Sequence, residues 1–317
     1  MLAFAVRRTG QIILTLLLLV LGTFLVLRAA PGGPAPVLLG TDYWTPEREA
    51  ALNESLGLDQ PLPVQLALWM RAVAVGDFGY SYFHRRPAAE VVAERIVPTL
   101  VLGVAAWLVS LVLGVGLGTL AAHRQGSLLD RTISAFGVLA LSMPTFWLGI
   151  LLIVVFAAWL NVLPSAGLVT IGNEDSLADK AWHLILPTLT LAAANGATLV
   201  LYTRAAVLDV LAADYVRTAH AKGLGARMVA LRHVLRNAAI PIATVAGLSL
   251  AHLLEGSLVV ETVFAWPGIG HLTVSSVARR DFPVLMVIAL VVGCIVVATT
   301  FLTDVVYRWL DPRLGYD

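Results

Sequence analysis

Six stretches of this 317-residue chain are apolar and almost uncharged for long enough to cross a bilayer, and that property limits what the chain can fold into. A helix needs roughly 20 such residues, at about 1.5 Å each, to cross about 30 Å of hydrocarbon. Residues 9–28, 97–122, 133–160, 184–206, 238–260 and 283–308 mark the expected spans. Backbone groups find no water in hydrocarbon, so spanning segments must be helices or strands of closed barrels. These runs are too long for barrel strands and do not alternate. The expectation is an all-α polytopic membrane protein with about six transmembrane helices, built as a single transmembrane domain over residues 1–317.

The charge content agrees. Only 13% of residues are charged and 59% are hydrophobic, against about 25% charged in soluble domains. Cys294 is the single cysteine, so neither a disulfide framework nor a thiolate metal site can be built. The seven histidines, at 84, 123, 183, 220, 233, 252 and 271, show no ligand spacing and no HExxH pattern. No metal site is expected.

Basic residues orient the spans. With a cytoplasmic N-terminus, the inner segments hold twelve of the 21 Lys and Arg but six of the 20 Asp and Glu. The short outer loops then keep only Lys180, Arg279 and Arg280. By the positive-inside rule both termini are expected in the cytoplasm. Residues 31–95 become an extracytoplasmic segment, and 207–236 a basic cytoplasmic loop. Arg7-Arg8, an apolar run and Ala29-Ala30 also fit a secretory signal. The run is long for one, and the remaining spans need a starting orientation, so it is read as a retained first helix. Pro31-Gly32-Gly33-Pro34 should break that helix, and Thr45-Pro46-Glu47 should start another. In the second span Gly114 and Gly118 form a small-xxx-small pair, which permits close helix contact. The same glycines lack a preceding strand and a P-loop lysine, which argues against a nucleotide loop.

Within the cytoplasmic loop, Asp209 to Lys222 can form an amphipathic helix. Leu211, Tyr215, Thr218, Ala219 and Lys222 recur at three- and four-residue spacing, and Gly223 is placed to close the helix in a left-handed cap. Ala219 and Ala221 make its end slim enough to enter a groove of another protein. An ordinary amphipathic loop at the lipid surface is the alternative.

Asp214-Tyr-Val-Arg-Thr-Ala-His-Ala-Lys-Gly-Leu224, followed by His233-Val-Leu-Arg-Asn237, resembles the coupling loop of permease subunits of binding-protein-dependent ATP-binding-cassette importers. The dipeptide, oligopeptide and nickel branch is most similar. The general loop pattern opens with Glu-Ala-Ala; Ala219 and Gly223 fit it, whereas Arg217 and Thr218 depart from it. Leu56-Gly-Leu-Asp-Gln-Pro61, Gly76-Asp-Phe-Gly-Tyr80, Pro98-Thr-Leu100, Ser142-Met-Pro-Thr-Phe-Trp-Leu-Gly149, Leu163-Pro-Ser165, Glu261-Thr-Val-Phe-Ala-Trp-Pro-Gly-Ile-Gly270 and Asp311-Pro-Arg313 extend the resemblance over nearly the whole chain.

The resemblance implies the type I importer permease fold in a bacterial inner membrane. It implies that a second homologous permease completes the pathway and that two ATPase subunits carry the ATP and magnesium. An extracytoplasmic binding protein delivers substrate, and no nucleic acid is involved. Asp214, Tyr215, Arg217, Ala219, Ala221, Lys222, Gly223 and Leu224 are the expected coupling residues. Trp266, Pro267 and Gly268 are expected at an outer gate. His252, Glu255 and Glu261 are ionisable residues in or near the fifth span and are expected along the pathway. The chain has no Walker A sequence and is not expected to be an enzyme. Peptides are the expected cargo; nickel chelates, glutathione-like molecules and sugars are the alternatives. A secondary transporter or channel is disfavoured, because no repeated halves are visible.

Overall fold

The computed structural model describes residues 2–29, 33, 35–40, 45–225 and 228–310, with side chains at all of these except 2–9, 36–37, 220, 230–231, 233, 250–256, 302 and 304–310. Among the described residues the secondary structure is helical apart from one isolated bridge between Tyr80 and Pro87. In chain order the helices are α1 (Leu2–Ala29), α2 (Ala35–Leu39), α3 (Pro46–Ser55), α4 (Leu62–Ala74), α5 (Ala88–His123), α6 (Leu128–Ser142) and α7 (Thr145–Leu152). They continue as α8 (Leu177–Leu211), α9 (Asp214–Ala221), α10 (Arg236–Val263), α11 (Ile269–Ala278) and α12 (Phe282–Leu310). Two π-helical segments, Ile153–Trp159 and Val229–Leu235, extend α7 and lead into α10.

Local chemistry sets several of the boundaries. Thr45 caps α3 by accepting from the Arg48 amide at 3.3 Å, and Pro46 takes the first helical position. Ser127 and Ser176 cap α6 and α8 by accepting from the amides of Asp130 and Asp179. Each of these aspartates lies in a first turn, where the helix dipole favours negative charge.

Among the described residues, four helical stretches are long and apolar enough to cross a membrane: Gly10–Ala29, Ala88–His123, Leu177–Leu211 and Phe282–Phe301. The third expected span is not one straight helix. Leu128–Ser142 and Thr145–Trp159 meet at a bend of 109°, which makes them a broken span or a re-entrant turn. Pro144 causes the break: it has no amide to donate, and it drives Met143 to an extended ψ of 126°. The fifth expected span falls in the 28-residue helix α10, where the side chains of 250–256 lie outside the described set.

The chain packs as two units: Met1–Pro98 with Gly268–Ala298, and Thr99–Pro267 with Thr299–Asp317. The first has a core of Ala88, Val91, Val92, Ile269, Leu272, Val284, Val287 and Ile288, and a smaller cluster of Val20, Phe24 and Met286. In the second unit α8 is the axis. More than half of its apolar window is enclosed (56%), and α6, α7 and α10 pack on it. The glycine pair of α5 brings two backbones together there. A Cβ on Gly114 would fall 2.4 Å from Leu199 Cβ; on Gly118, 2.6 Å from both Thr203 Cβ and the Val200 carbonyl oxygen.

Gly118→Val should therefore lower stability by about 1–3 kcal/mol or block folding, because backbone cannot yield as a side-chain tip does. Gly116→Ala meets nothing within 4 Å and should be neutral or stabilising by up to about 1 kcal/mol. Thermal unfolding in detergent separates the two; equal losses would remove the close crossing as the cause.

Candidate coupling surface

Helix α9 forms where the loop sequence supplies both a start and a stop. Asp214 opens it, and Thr218 closes a side-chain bond back to the Asp214 carbonyl at 2.9 Å. Gly223 has φ +78, and the Leu224 amide donates to the Ala219 carbonyl at 3.3 Å. That bond and the left-handed glycine make a Schellman-type cap. The helix starts five residues later than expected: Asp209 belongs to the end of α8, and the break falls at Ala212-Ala213.

The two faces of α9 have different uses. Val216 and Ala219 are buried with Ala122, Val207, Val229, Val234, Ala238 and Ile242, and Leu224 packs on the same cluster. Asp214, Tyr215, Arg217, Thr218, Ala221, Lys222 and Gly223 are exposed. Ala219 thus departs from the expected docking face. It is small because the chain's own core closes over it. The solvent side carries a loose Arg217–Asp214 pair at 3.3 Å, which contributes little when this exposed.

The expected outer-gate residues are also placed differently. Trp266 is 1% exposed and lies in the cluster of Leu102, Ala106, Leu186, Leu191, Ala192, Val260 and Phe264. It offers no surface to a partner and acts as a core anchor. Helix α10 ends in a second Schellman-type cap. Ala265 is left-handed at φ 46, and the Trp266 amide donates to the Glu261 carbonyl at 2.8 Å. Gly167 donates to the Phe264 carbonyl at 2.8 Å, so the 163–168 segment helps to satisfy the same helix end. Pro267 is half-buried, and Gly268 is buried.

Glu261, expected along the pathway, is fully enclosed and accepts from Thr99 Oγ1 at 2.8 Å. In this conformation it is an internal anchor and not a pathway wall. His252 and Glu255 lie on helix α10, and their side chains fall outside the described residues.

Two polar anchors were not singled out from the sequence. Arg204 Nε and Nη2 donate to the two carboxylate oxygens of Asp130 at 2.5 and 2.8 Å, and the Gly126 amide adds 2.9 Å. This fork ties the start of α6 to α8. In the other unit, Asp281 is 1% exposed and accepts from Ser81 Oγ at 2.5 Å and from the amides of Tyr82 and Phe83 at 3.1 and 3.3 Å. It pins the 79–88 turn. Burial, together with Arg279, Arg86 and Arg95 and opposed by Asp281, holds the nearby His84 below the usual imidazole range. These partners lie 74 and about 200 residues apart, so no local spacing announces them.

Residues 114–316 match the family described as binding-protein-dependent transport system inner membrane component, and residues 1–103 match its N-terminal region. The chain belongs to this family. Its relatives align end to end. The oligopeptide transport system permease protein AppB of Bacillus subtilis (strain 168) is 37% identical over all 317 residues, 100% of each chain. The dipeptide transport system permease protein DppB of Escherichia coli K12 is 35% identical, over 100% of this chain and 99% of its own length. The glutathione transport system permease protein GsiC of Salmonella choleraesuis is 39% identical over the full length of both chains. Among solved structures, the inward-facing MetNI methionine ABC transporter superposes with a TM-score of 0.56 at 20% identity, covering 70% of this chain and 96% of the other. An amino acid ABC transporter superposes with a TM-score of 0.54 at 16% identity, covering 69% and 94%. The fold is that of the inner membrane components of ABC importers, with α-helical spans throughout.

Ala219→Glu should destabilise the loop by about 3 kcal/mol or more, since it drives a carboxylate into a closed apolar cluster. Lys222→Glu, on the exposed side, should stay within about 0.5 kcal/mol of the parent. Limited proteolysis across 211–225 together with thermal unfolding reads both. If Ala219→Glu were as stable as Lys222→Glu, the inward face would be wrongly assigned.

Proposed function

We propose that this chain is a transmembrane permease subunit of a peptide-type ATP-driven importer. It pairs with a second, homologous permease to form the pathway. Two ATP-binding-cassette subunits dock on the cytoplasmic side and hydrolyse ATP, and an extracytoplasmic binding protein presents the cargo. The observation that carries this reading is similarity over the whole length to three permeases named for oligopeptide, dipeptide and glutathione transport. All three cargoes contain peptide bonds, and this supports a peptide-like substrate over sugars or nickel chelates.

The bare side of α9, with Tyr215, Thr218, Ala221, Lys222 and the Gly223 cap, is the proposed contact with an ATPase subunit. Ala221 and the glycine-capped end make its last turn slim enough to sit in a groove. Val216 and Ala219 pass the displacement to α8, α10 and the Val229–Leu235 π segment, because they share one core. Closure of the ATPases then biases the spans between two packings, inward- and outward-open. His252 and Glu255 are proposed to face the pathway, since an ionisable group in a span is costly unless it meets water or a partner. Both termini are proposed to be cytoplasmic, with residues 31–95 outside.

Two experiments check this reading. In a Cys294→Ser background, Ser55→Cys should be labelled by an impermeant thiol reagent from outside only; labelling from the cytoplasmic side alone overturns the orientation. Ala221→Trp and Lys222→Glu should leave the chain folded yet cut co-purification of the ATPase subunits, or transport-coupled ATP hydrolysis, by roughly tenfold, the equivalent of about 1.4 kcal/mol of docking energy. Undiminished docking and uptake in both variants would exclude this face of α9 as the contact.

A further inference from the structure

We infer that α4 lies within the bilayer, in the leaflet where α1 ends and α12 begins, and that lipid acyl chains cover the face it turns away from the protein. Only the spanning of α1 and α12 is needed for this, not the cargo or which side is cytoplasmic. Helix α4 has 13 residues, too few to cross, and its only charged side chain is Arg71. An apolar helix of that length is either part of a buried core or a segment lying in the membrane surface. Gln65 is the one residue of α4 that is buried, which excludes the core. In the same connecting segment α3 holds Glu47, Arg48, Glu49 and Glu54, buries nothing and suits water.

Depth follows from the neighbours of α4. Leu66 and Trp69 pack on the cluster of Val20, Phe24 and Met286, together with Leu27 and Leu290. Val20 and Phe24 lie nine and five residues before the end of the apolar run Gly10–Ala29, which is about 14 and 8 Å inside it at the helical rise. Met286 and Leu290 lie four and eight residues after the start of the run Phe282–Phe301, about 6 and 12 Å in. Half of a hydrocarbon core is about 15 Å thick. One span leaves the membrane at this end and the other enters it, and both set the inner face of α4 beside hydrocarbon.

The side of α4 turned away from this cluster is apolar and bare. Val64 is 42% exposed, Leu68 52% and Val75, just past the helix, 80%; their spacing of four and seven makes one stripe. Lipid already has to cover the adjoining span α1 at the exposed Leu18, Leu25 and Val26, and α4 extends that cover at the same level. The polar groups of α4 are placed to allow it. The Gln65 amide turns inward and donates to the carbonyls of Leu58 and Gln60 at 3.1 and 2.7 Å. Arg71 stands in the last turn, where its stem lies along apolar surface while the guanidinium reaches the headgroups. The backbone ends are closed as hydrocarbon demands. Pro63 has no amide, and the amides of Val64 and Gln65 both donate to the Pro61 carbonyl at 2.9 and 3.1 Å. At the other end the amides of Gly76 and Asp77 donate to the carbonyls of Val73 and Ala72 at 3.0 and 2.9 Å.

The test is spin labelling of the full chain, assembled with its partner subunits in lipid nanodiscs, in a Cys294→Ser background. Three single-cysteine variants are compared: Leu68→Cys on α4, Leu18→Cys on α1 and Ser55→Cys on α3. Collision of each label with oxygen, which concentrates in lipid, is measured against collision with a water-soluble nickel chelate. Leu68→Cys should resemble Leu18→Cys and favour oxygen several-fold, while Ser55→Cys should favour the chelate. If Leu68→Cys does not fold, Val64→Cys reads the same stripe. A label on Leu68→Cys that meets the chelate as freely as Ser55→Cys puts α4 in water and overturns the proposal. Shielding from both probes overturns it too, since a protein partner then covers the stripe. A label on Leu18→Cys that favours the chelate would remove the first span itself, and the proposal with it.

Discussion

Much of the second unit depends on how closely α5 approaches α8. At Gly114 and Gly118 there is no room for even one carbon, and the Val200 carbonyl oxygen and the Thr203 side chain fill the space. In a bilayer, apolar side chains gain little by leaving lipid for a helix surface, so contact must come from packing. Such packing makes α8 an axis onto which α6, α7 and α10 gather. It also leaves one side of many spanning residues bare, as at Val97, Val101, Val104, Leu108 and Val112 of α5. An exposed apolar stripe of that kind suits lipid or a second membrane subunit and not water.

Polar groups are used sparingly in this setting, and each closes a specific junction. The Arg204–Asp130 fork ties the beginning of α6 to α8. Thr99 and Glu261 meet in the interior of the second unit. Asp281 gathers a hydroxyl and two amides from the 79–88 turn. Removing one member of such a set would strand the other in an apolar interior, and that is more costly than losing an exposed pair. They act as registration marks between elements that packing alone would let slide.

The loop between α8 and α10 combines both themes. Its helix is too short, at eight residues, to persist alone. Val216 and Ala219 fix it to the core, and the glycine cap ends it sharply. A helix anchored in this way can carry a displacement without melting. The Val229–Leu235 π segment lies immediately before α10 and contributes Val229 and Val234 to the same core.

The sequence by itself determined the class, some of the helix ends and the family. Hydropathy of this length admits only spanning helices, and caps such as Thr45-Pro46 and Gly223 act within a few residues of where they stand. The break in the third span was written locally too, in Met143-Pro144, although an apolar window passes over it. The tertiary structure alone decided which apolar and small residues turn inward. Ala219 and Trp266 satisfy a docking or gating pattern as well as a core pattern, and only the neighbours that close over them, Val229 and Val234 for one and Leu102 and Leu186 for the other, tell the two apart. The pairing of Asp130 with Arg204, and of Asp281 with the 79–88 turn, was likewise beyond local reading. A charge at a helix end states its sign and its cost, but its partner is chosen by how distant segments come together in space.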